Sequence, residues 1–335
     1  MRIAVFGYEP WEREYLAEHA PSGAEFVFFD QPVTRDKTIA DPDFEMLVVF
    51  VSSQVDEAVL AQFPKARAVV TRSTGYDHID LAACRARGII VSNVPAYGEA
   101  TVAEYTFALL LSLSRKIHLG YRQVRESGSF SVTNLRGFDL AGKTLGVVGT
   151  GRIGRHVARI ARGFGLNVIA CDSRPDNQFA ATAGIAYQSF PELLAKSDIV
   201  TLHVPALPET DHLLNPATFA QMKRGSILIN TSRGSVVDTQ ALVAALRSGQ
   251  LAAAALDVLE EEGVIRDELD FLVSGHPEEH NLKTVLANHV LIDLPNVIVT
   301  PHNAFNTAEA LRRILDTTLD NIRGLIVGAP VNVIP

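Results

Sequence analysis

The sequence predicts an α/β protein made of two Rossmann-like, doubly wound parallel-sheet domains with a cleft between them. Three observations carry that expectation. Short β-rich runs alternate with helical patterns along most of the chain, the alternating series occurs twice, and a glycine-rich turn follows the first strand of the second series. A length of 335 residues is also more than one hydrophobic core comfortably serves, which makes two domains the default.

The first series has strands near Ile3 to Phe6, Glu25 to Phe29, Met46 to Val51, Ala68 to Thr71 and Ile89 to Ser92, with helices between them. Asp80 is placed to cap a helix over Leu81 to Arg87, and Gly88 stands where a left-handed residue would end it. A long helical pattern from about Ala100 to Arg125 leads into the second series. Its strands fall at Thr144 to Val148, Asn167 to Cys171, Ile199 to His203, Ser226 to Asn230, Ala253 to Leu256 and Val297 to Thr300, six in all. Pro216 after Asn215 opens one helix, and Asp238 and Gly249 delimit another over Thr239 to Ser248. A last helix near Thr307 to Ile326 is expected to return to the first domain. That domain is then discontinuous, residues 1–98 plus 303–335, with residues 99–302 inserted as the dinucleotide domain.

Composition excludes several function classes. Hydrophobic residues make up 47% and charged residues 20%, enough apolar mass for real cores and too much for disorder. The 30 Lys and Arg against 38 Asp and Glu leave a formal net charge of −8, so no basic field exists to hold a phosphate backbone and nucleic acid is not an expected partner. Cys84 and Cys171 are far apart in apolar sequence, without metal-ligand spacing, so neither a disulfide nor a metal is expected. The N-terminal run Met1 to Gly7 is too short for a secretory signal and reads as a strand and turn. Val102 to Leu113 is apolar but carries Glu104 and is shorter than a membrane span, so no membrane contact is expected and the cytoplasm is the simplest address. Solenoid repeats and low-complexity tracts are absent from the sequence.

Chemistry enters with Gly149-Thr150-Gly151-Arg152-Ile153-Gly154, between a strand and a helix. The first glycine allows the tight turn, the second lets backbone approach a pyrophosphate, and the third lets helix pack on strand, while the helix N-terminus offers N–H groups to phosphate. The next strand ends in Asp172, 18 positions after Gly154, where a carboxylate can accept from both ribose hydroxyls. Asp172 repels a 2′-phosphate, so NAD is favoured. Arg174, two positions on, leaves room for NADP as well. Three further residues stand just beyond strand ends, where open α/β sheets bind ligands. Arg233 can clamp a carboxylate, His302 can exchange a proton near neutral pH, and the run Glu260-Glu261-Glu262 supplies an acid.

These pieces, with Thr71-Arg72-Ser73-Thr74-Gly75-Tyr76-Asp77, Asn93-Val94-Pro95-Ala96-Tyr97, Thr101-Val102-Ala103-Glu104, His203-Val204-Pro205, Asn230-Thr231-Ser232-Arg233-Gly234, Ala255-Leu256-Asp257-Val258 and Thr300-Pro301-His302, occur in one order along nearly the whole chain. In that order the chain resembles the D-isomer-specific 2-hydroxyacid dehydrogenase family, nearest its D-lactate dehydrogenase branch. The resemblance implies an NAD-dependent oxidoreductase for a small 2-keto or 2-hydroxy acid, with Arg233, Glu262 and His302 as the catalytic set. It implies Asp257 and Thr231 near the nicotinamide and His203, Val204 and Pro205 beside the cofactor, with Val102, Arg152, Ile153 and Ser232 completing that set. It also implies the backbone of Thr74 and Gly75 at the substrate carboxylate, Tyr97 and Phe305 lining the pocket, and Phe50 near an aromatic wall.

In the implied reaction protonated His302 donates to the keto oxygen while Glu262, on the other ring nitrogen, favours the imidazolium form. A homodimer formed through the larger domain and hinges near residues 98 and 302 are family expectations. Two alternatives stand beside the lactate reading. One is a glycerate or glyoxylate (hydroxypyruvate) reductase of the same family. The other is an NAD-sensing corepressor, against which the chain offers no disordered tail for partner docking. The stretch from Gly263 to Leu294 is longer than in compact members and reads as a lid, an oligomer contact or a surface excursion.

Overall fold

A computed structural model describes residues 1–35, 38–266 and 281–335 of the chain. It divides into two compact units, Met1–Tyr97 with Asn306–Pro335, and Gly98–Phe305. The first unit runs β1 (Arg2–Phe6), α1 (Pro10–Glu18), β2 (Glu25–Phe29), β3 (Met46–Val49), α2 (Glu57–Gln62), β4 (Ala68–Thr71), α3 (Leu81–Ala86) and β5 (Ile90–Ser92). Its strands form one parallel sheet in the order β2-β1-β3-β4-β5. The strands β1, β3 and β4 are almost wholly buried, as near-continuous apolar runs such as Ala68-Val69-Val70 require of a sheet covered on both faces. Asp56 and Asp80 accept N–H bonds from Val59 and Ala83 and so cap α2 and α3, each cap worth about 1 kcal/mol. Gly88 follows α3 with φ 67°.

The second unit begins with α4 (Glu99–Ser114) and α5 (Ile117–Ser127), then β6 (Thr144–Val148), α6 (Arg152–Gly163), β7 (Asn167–Cys171), α7 (Asn177–Ala183), β8 (Ala186–Tyr187), α8 (Phe190–Lys196) and β9 (Ile199–Leu202). It continues with α9 (Pro216–Gln221), β10 (Ser226–Asn230), α10 (Thr239–Arg247), β11 (Leu251–Leu256), α11 (Glu262–Arg266), α12 (Leu282–Asp293) and β12 (Val297–Val299). All seven strands are parallel, in the order β12-β11-β10-β9-β6-β7-β8. The order reverses between β6 and β9, the topological switch point at which such sheets open a crevice beyond their carboxyl ends. The chain then returns to the first unit through α13 (Ala308–Ile326), capped by Thr307 and buried on the β1–β3–β4 side through Leu315, Leu319 and Ile322.

Two elements differ from the expectation. The pattern from Ala100 to Arg125 is two helices, because the Ser114 carbonyl accepts from Phe138 N at 2.9 Å, and Lys116 turns the chain with φ 52°. A seventh strand, β8, extends the sheet past β7; with two residues it carries no alternation by which sequence could reveal it. Of the Gly263 to Leu294 stretch, residues 267–280 lie outside the described residues, and Leu282–Asp293 is helical. Among the described residues no helix is long and apolar enough to cross a membrane.

Candidate active site

The glycine turn sits at the carboxyl end of β6, against the switch point. Gly149 has φ 91°, and a Cβ there would fall 2.5 Å from the His203 carbonyl oxygen, so a side chain is excluded by conformation and by space. A Cβ on Gly154 would meet Gly149 O at 2.0 Å, which fixes how closely α6 packs on β6. At Gly151, the N-cap of α6, a Cβ would meet nothing within 4 Å, and no side chain caps the helix. Uncapped N–H groups facing open space at a helix N-terminus suit a pyrophosphate, so these residues fit a dinucleotide. Beside them, Arg152 lies 3.8 Å from Glu99, and Ile153 packs on the apolar core beneath.

Asp172, at the end of β7, is held by Thr150 N at 2.6 Å, Thr150 Oγ1 at 2.9 Å and Arg174 N at 2.8 Å. Burial works against its charge. The N–H groups of Arg174 and Thr150, the Thr150 hydroxyl and nearby Arg155 outweigh burial and hold the pKa below the usual carboxylate value. Thr150 Oγ1 also meets Tyr187 Oη at 2.8 Å, so the short strand β8 braces the acid through Thr150. Sequence reading passed over Tyr187 because its partner lies 37 positions away.

His203 follows β9. Its Nε2 lies 2.9 Å from Thr201 Oγ1, its Nδ1 is buried without a partner, and burial pushes its pKa down to about 3, so the ring is neutral. Val204 packs close to Gly149, and the Pro205 carbonyl accepts from Thr210 Oγ1 at 2.6 Å. Thr231 is buried with its hydroxyl 3.0 Å from that of Thr106, on the helix that also buries Val102. Asn230 ties the next turn together, accepting from Ser232 N and Oγ and donating to the Arg233 carbonyl at 2.9 Å. Arg233 Nη1 donates to Ser232 O at 2.8 Å.

The acid and the histidine come together. His302 Nδ1 lies 2.8 Å from Glu262 Oε1, with both side chains partly exposed. The turn after β12 bearing His302 takes φ 52°, a left-handed conformation that disfavours a branched side chain. It is held by His302 N donating to Asp257 O at 2.8 Å and to Thr300 O at 2.9 Å. The Asp257 carboxylate, 1% exposed, accepts from Thr300 Oγ1 at 2.5 Å, Asn303 N at 2.9 Å and Ala304 N at 2.8 Å. Burial raises its pKa despite those bonds and the nearby imidazole. Asp257, implied near the nicotinamide, is thus occupied in folding the His302 turn. Phe305 lies edge-on to His302, ring centroids 6.4 Å apart.

The first unit holds the remaining candidates. Thr74 Oγ1 donates to Val94 O, Asn93 Nδ2 donates to Thr74 O, and Ser73 Oγ donates to Gly75 O, knitting the turn after β4. Thr74 itself is exposed and Gly75 partly so. The Tyr97 carbonyl accepts from Arg313 Nε at 2.7 Å, and Phe50 lies under the guanidinium of the fully buried Arg72. Among the described residues no group of three or more His, Cys, Asp or Glu could hold a metal ion.

The chain is similar to known proteins in both sequence and fold. Residues 107–304 match the family model described as D-isomer specific 2-hydroxyacid dehydrogenase, NAD binding domain. A 2-hydroxyacid dehydrogenase homolog of Schizosaccharomyces pombe is 41% identical, covering 96% of this chain and 95% of that protein. D-Lactate dehydrogenase of Escherichia coli is 35% identical, over 98% of each. Its apo structure matches with a TM-score of 0.85 over the full length of both chains. The Aquifex aeolicus D-lactate dehydrogenase, complexed with NAD and lactic acid, matches at 0.86 and 32% identity, covering 98% of this chain and 96% of that one.

Proposed function

The chain belongs to the D-isomer specific 2-hydroxyacid dehydrogenase family and is an NAD-dependent oxidoreductase, and from that premise we propose that it interconverts pyruvate, or a similar small 2-keto acid, with the D-2-hydroxy acid. The observation that carries the proposal is the Glu262–His302 pair at 2.8 Å, beyond the ends of β11 and β12 in the sheet that bears the glycine turn. NAD, when bound, supplies or accepts the hydride.

The residues divide the remaining work. Arg233 offers a forked cation to the substrate carboxylate and polarises the neighbouring carbonyl, and Thr74 and Gly75 offer backbone groups for substrate binding. His302 holds the transferable proton on Nε2 while Glu262 orients the ring through Nδ1. Reduction takes that proton to the keto oxygen, and oxidation returns the hydroxyl proton to the ring. Tyr97 and Phe305 are the remaining substrate-binding candidates of this reading. Activity on pyruvate, longer 2-keto acids, glyoxylate and hydroxypyruvate with NADH tests the reading. Fast pyruvate turnover supports it, and preference for glyoxylate or hydroxypyruvate replaces it with the reductase alternative.

Cofactor choice gives a second test. Asp172 is held in its charged form and would repel a 2′-phosphate in this reading, so Asp172→Ser is expected to raise the NADPH-to-NADH ratio of kcat/KM by about tenfold or more. An unchanged ratio removes Asp172 from cofactor selection.

A homodimer formed through the larger unit is part of the same proposal. The helix α5 buries none of its residues, Ile117, Tyr121 and Val124 share one exposed face at helical spacing, and Phe130 and Val132 beyond it are 88% and 82% exposed. A second copy covering this face accounts for the apolar exposure. Sedimentation of Tyr121→Glu/Phe130→Glu as a monomer supports it, and an unchanged mass overturns it. A cytoplasmic address is proposed on the two cysteines, neither of which is in a disulfide.

A further inference from the structure

The acid run Glu260-Glu261-Glu262 contains a second carboxylate with a distinct environment. Glu260 is largely buried, and each of its oxygens is engaged. Oε1 lies 2.7 Å from His212 Nε2, while Oε2 accepts from Thr239 N at 2.8 Å and Thr239 Oγ1 at 2.5 Å. Thr239 opens α10, so the carboxylate sits at a helix N-terminus, where N–H groups need acceptors and negative charge is favoured. The Glu260 carbonyl in turn accepts from Nδ2 of Asn288, a fully buried side chain of α12.

His212 is itself anchored. Its N–H donates to Ser235 O at 2.8 Å, and Leu214 N donates to Val236 O at 3.0 Å, so residues 212–214 run along the segment directly after Arg233-Gly234. On the other side, a Cβ on Gly234 would stand 2.1 Å from Leu259 C and O, which shows how closely the two loops already touch. After Glu260, Glu261 takes φ 54°, and Glu262 reaches back so that Leu259 N donates to its Oε2 at 3.3 Å.

We propose that Glu260 is the positioning residue of this site: bridging His212 to the start of α10, it clamps the Glu262 loop to the Arg233 loop. This rests on the roles given above to Arg233, Glu262 and His302. Both Glu260 carboxylate oxygens are taken by His212 and Thr239, so its action on the site runs through the backbone of residues 260–262. Long side chains aimed from loops hold position only as well as their supports. The charges facing His212 are Glu260, Asp211 and Asp238. The hydrogen bond to Glu260 raises its pKa, burial opposes, and the three carboxylates add to the rise. The clamp is therefore strongest below histidine's ordinary titration range and weakens as pH rises through the raised value.

The test compares purified full-length Glu260→Ala, His212→Ala and His212→Gln with the unsubstituted enzyme, with His302→Asn as reference. The readouts are kcat, KM for NADH, the primary isotope effect with NADH deuterated at the transferred position, and their pH profiles from about pH 5.5 to about pH 9. Glu260→Ala is expected to lower kcat by roughly tenfold to a hundredfold with an enlarged isotope effect and a nearly unchanged KM for NADH. His212→Gln, which keeps a neutral donor at similar reach, recovers most of what His212→Ala loses, and the deficit of His212→Ala shrinks as pH rises. The inference is overturned if folded Glu260→Ala keeps its kcat and isotope effect, or if the loss lies only in NADH affinity or melting temperature. Equal behaviour of the two His212 variants overturns it too, and that pair decides the matter if Glu260→Ala does not fold. If His302→Asn is fully active, the functional reading fails first. If only the Glu260 and His212 variants are, the positioning role alone falls.

Discussion

His302→Asn is expected to lower kcat in the reductive direction by on the order of 10² to 10⁴-fold, the usual share of a positioned proton donor, while NADH still binds. Asparagine is the informative replacement because His302 occupies a left-handed backbone position with φ 52°, which asparagine tolerates better than other side chains. The bonds from residue 302 N to Asp257 O and Thr300 O can then persist, so the turn is kept and the proton donor removed. His302→Ala should fall at least as far, with some added loss of stability from the same backbone position. Glu262→Gln keeps a hydrogen-bond acceptor near Nδ1 but loses the charge, so its loss should be the smaller of the two sites. Steady-state assay with NADH and pyruvate, alongside NADH fluorescence for binding, reads all three. Turnover of His302→Asn within tenfold of the unsubstituted enzyme would remove His302 from proton transfer.

Gly234→Ala is expected to cost about a hundredfold in kcat although it changes no charged or reactive group. A Cβ there would stand 2.1 Å from Leu259 C and O and 2.4 Å from Glu260 N, all backbone atoms that cannot rotate aside. The Arg233 loop and the Glu262 loop must separate, and a displacement of about 1 Å is enough to misalign groups that act together on one substrate. Gly163→Ala is the control. A Cβ on Gly163 meets nothing within 4 Å, and removing a helical glycine stabilises by up to about 1 kcal/mol, so activity should be retained and the Tm unchanged or slightly raised. Near-full activity in Gly234→Ala would show that the close approach of the loops is not needed.

Much of this fold was legible because its signals are local. Apolar runs mark β1, β4, β6, β7 and β10 within a residue or so, and Asp80, Asn215 and Asp238 cap the helices at the places their side chains suggest. The break at Lys116 was not legible, because it depends on Phe138 taking the Ser114 carbonyl from 24 positions away. Nor was β8, whose two residues are a strand only because β7 lies beside them.

At the site, the placement of Gly149, Asp172, Arg233 and His302 after strand ends could be read directly, since parallel sheets bring such ends to one edge. What supports them could not. Asp257 folds a turn that begins 43 residues later, Tyr187 braces Thr150, and Glu260 joins His212 to Thr239. In sequence, Glu260 and Glu262 are two members of one acidic run. Sequence alone therefore determined the fold class, the dinucleotide turn and the chemistry on offer, because spacing and backbone conformation are properties of neighbouring residues. The family resemblance singled out Glu262 as the partner of His302, and only the tertiary structure decided that Glu260 turns inward to His212 and Thr239. A buried polar group must find its hydrogen-bond partners, and here those partners come from distant parts of the chain.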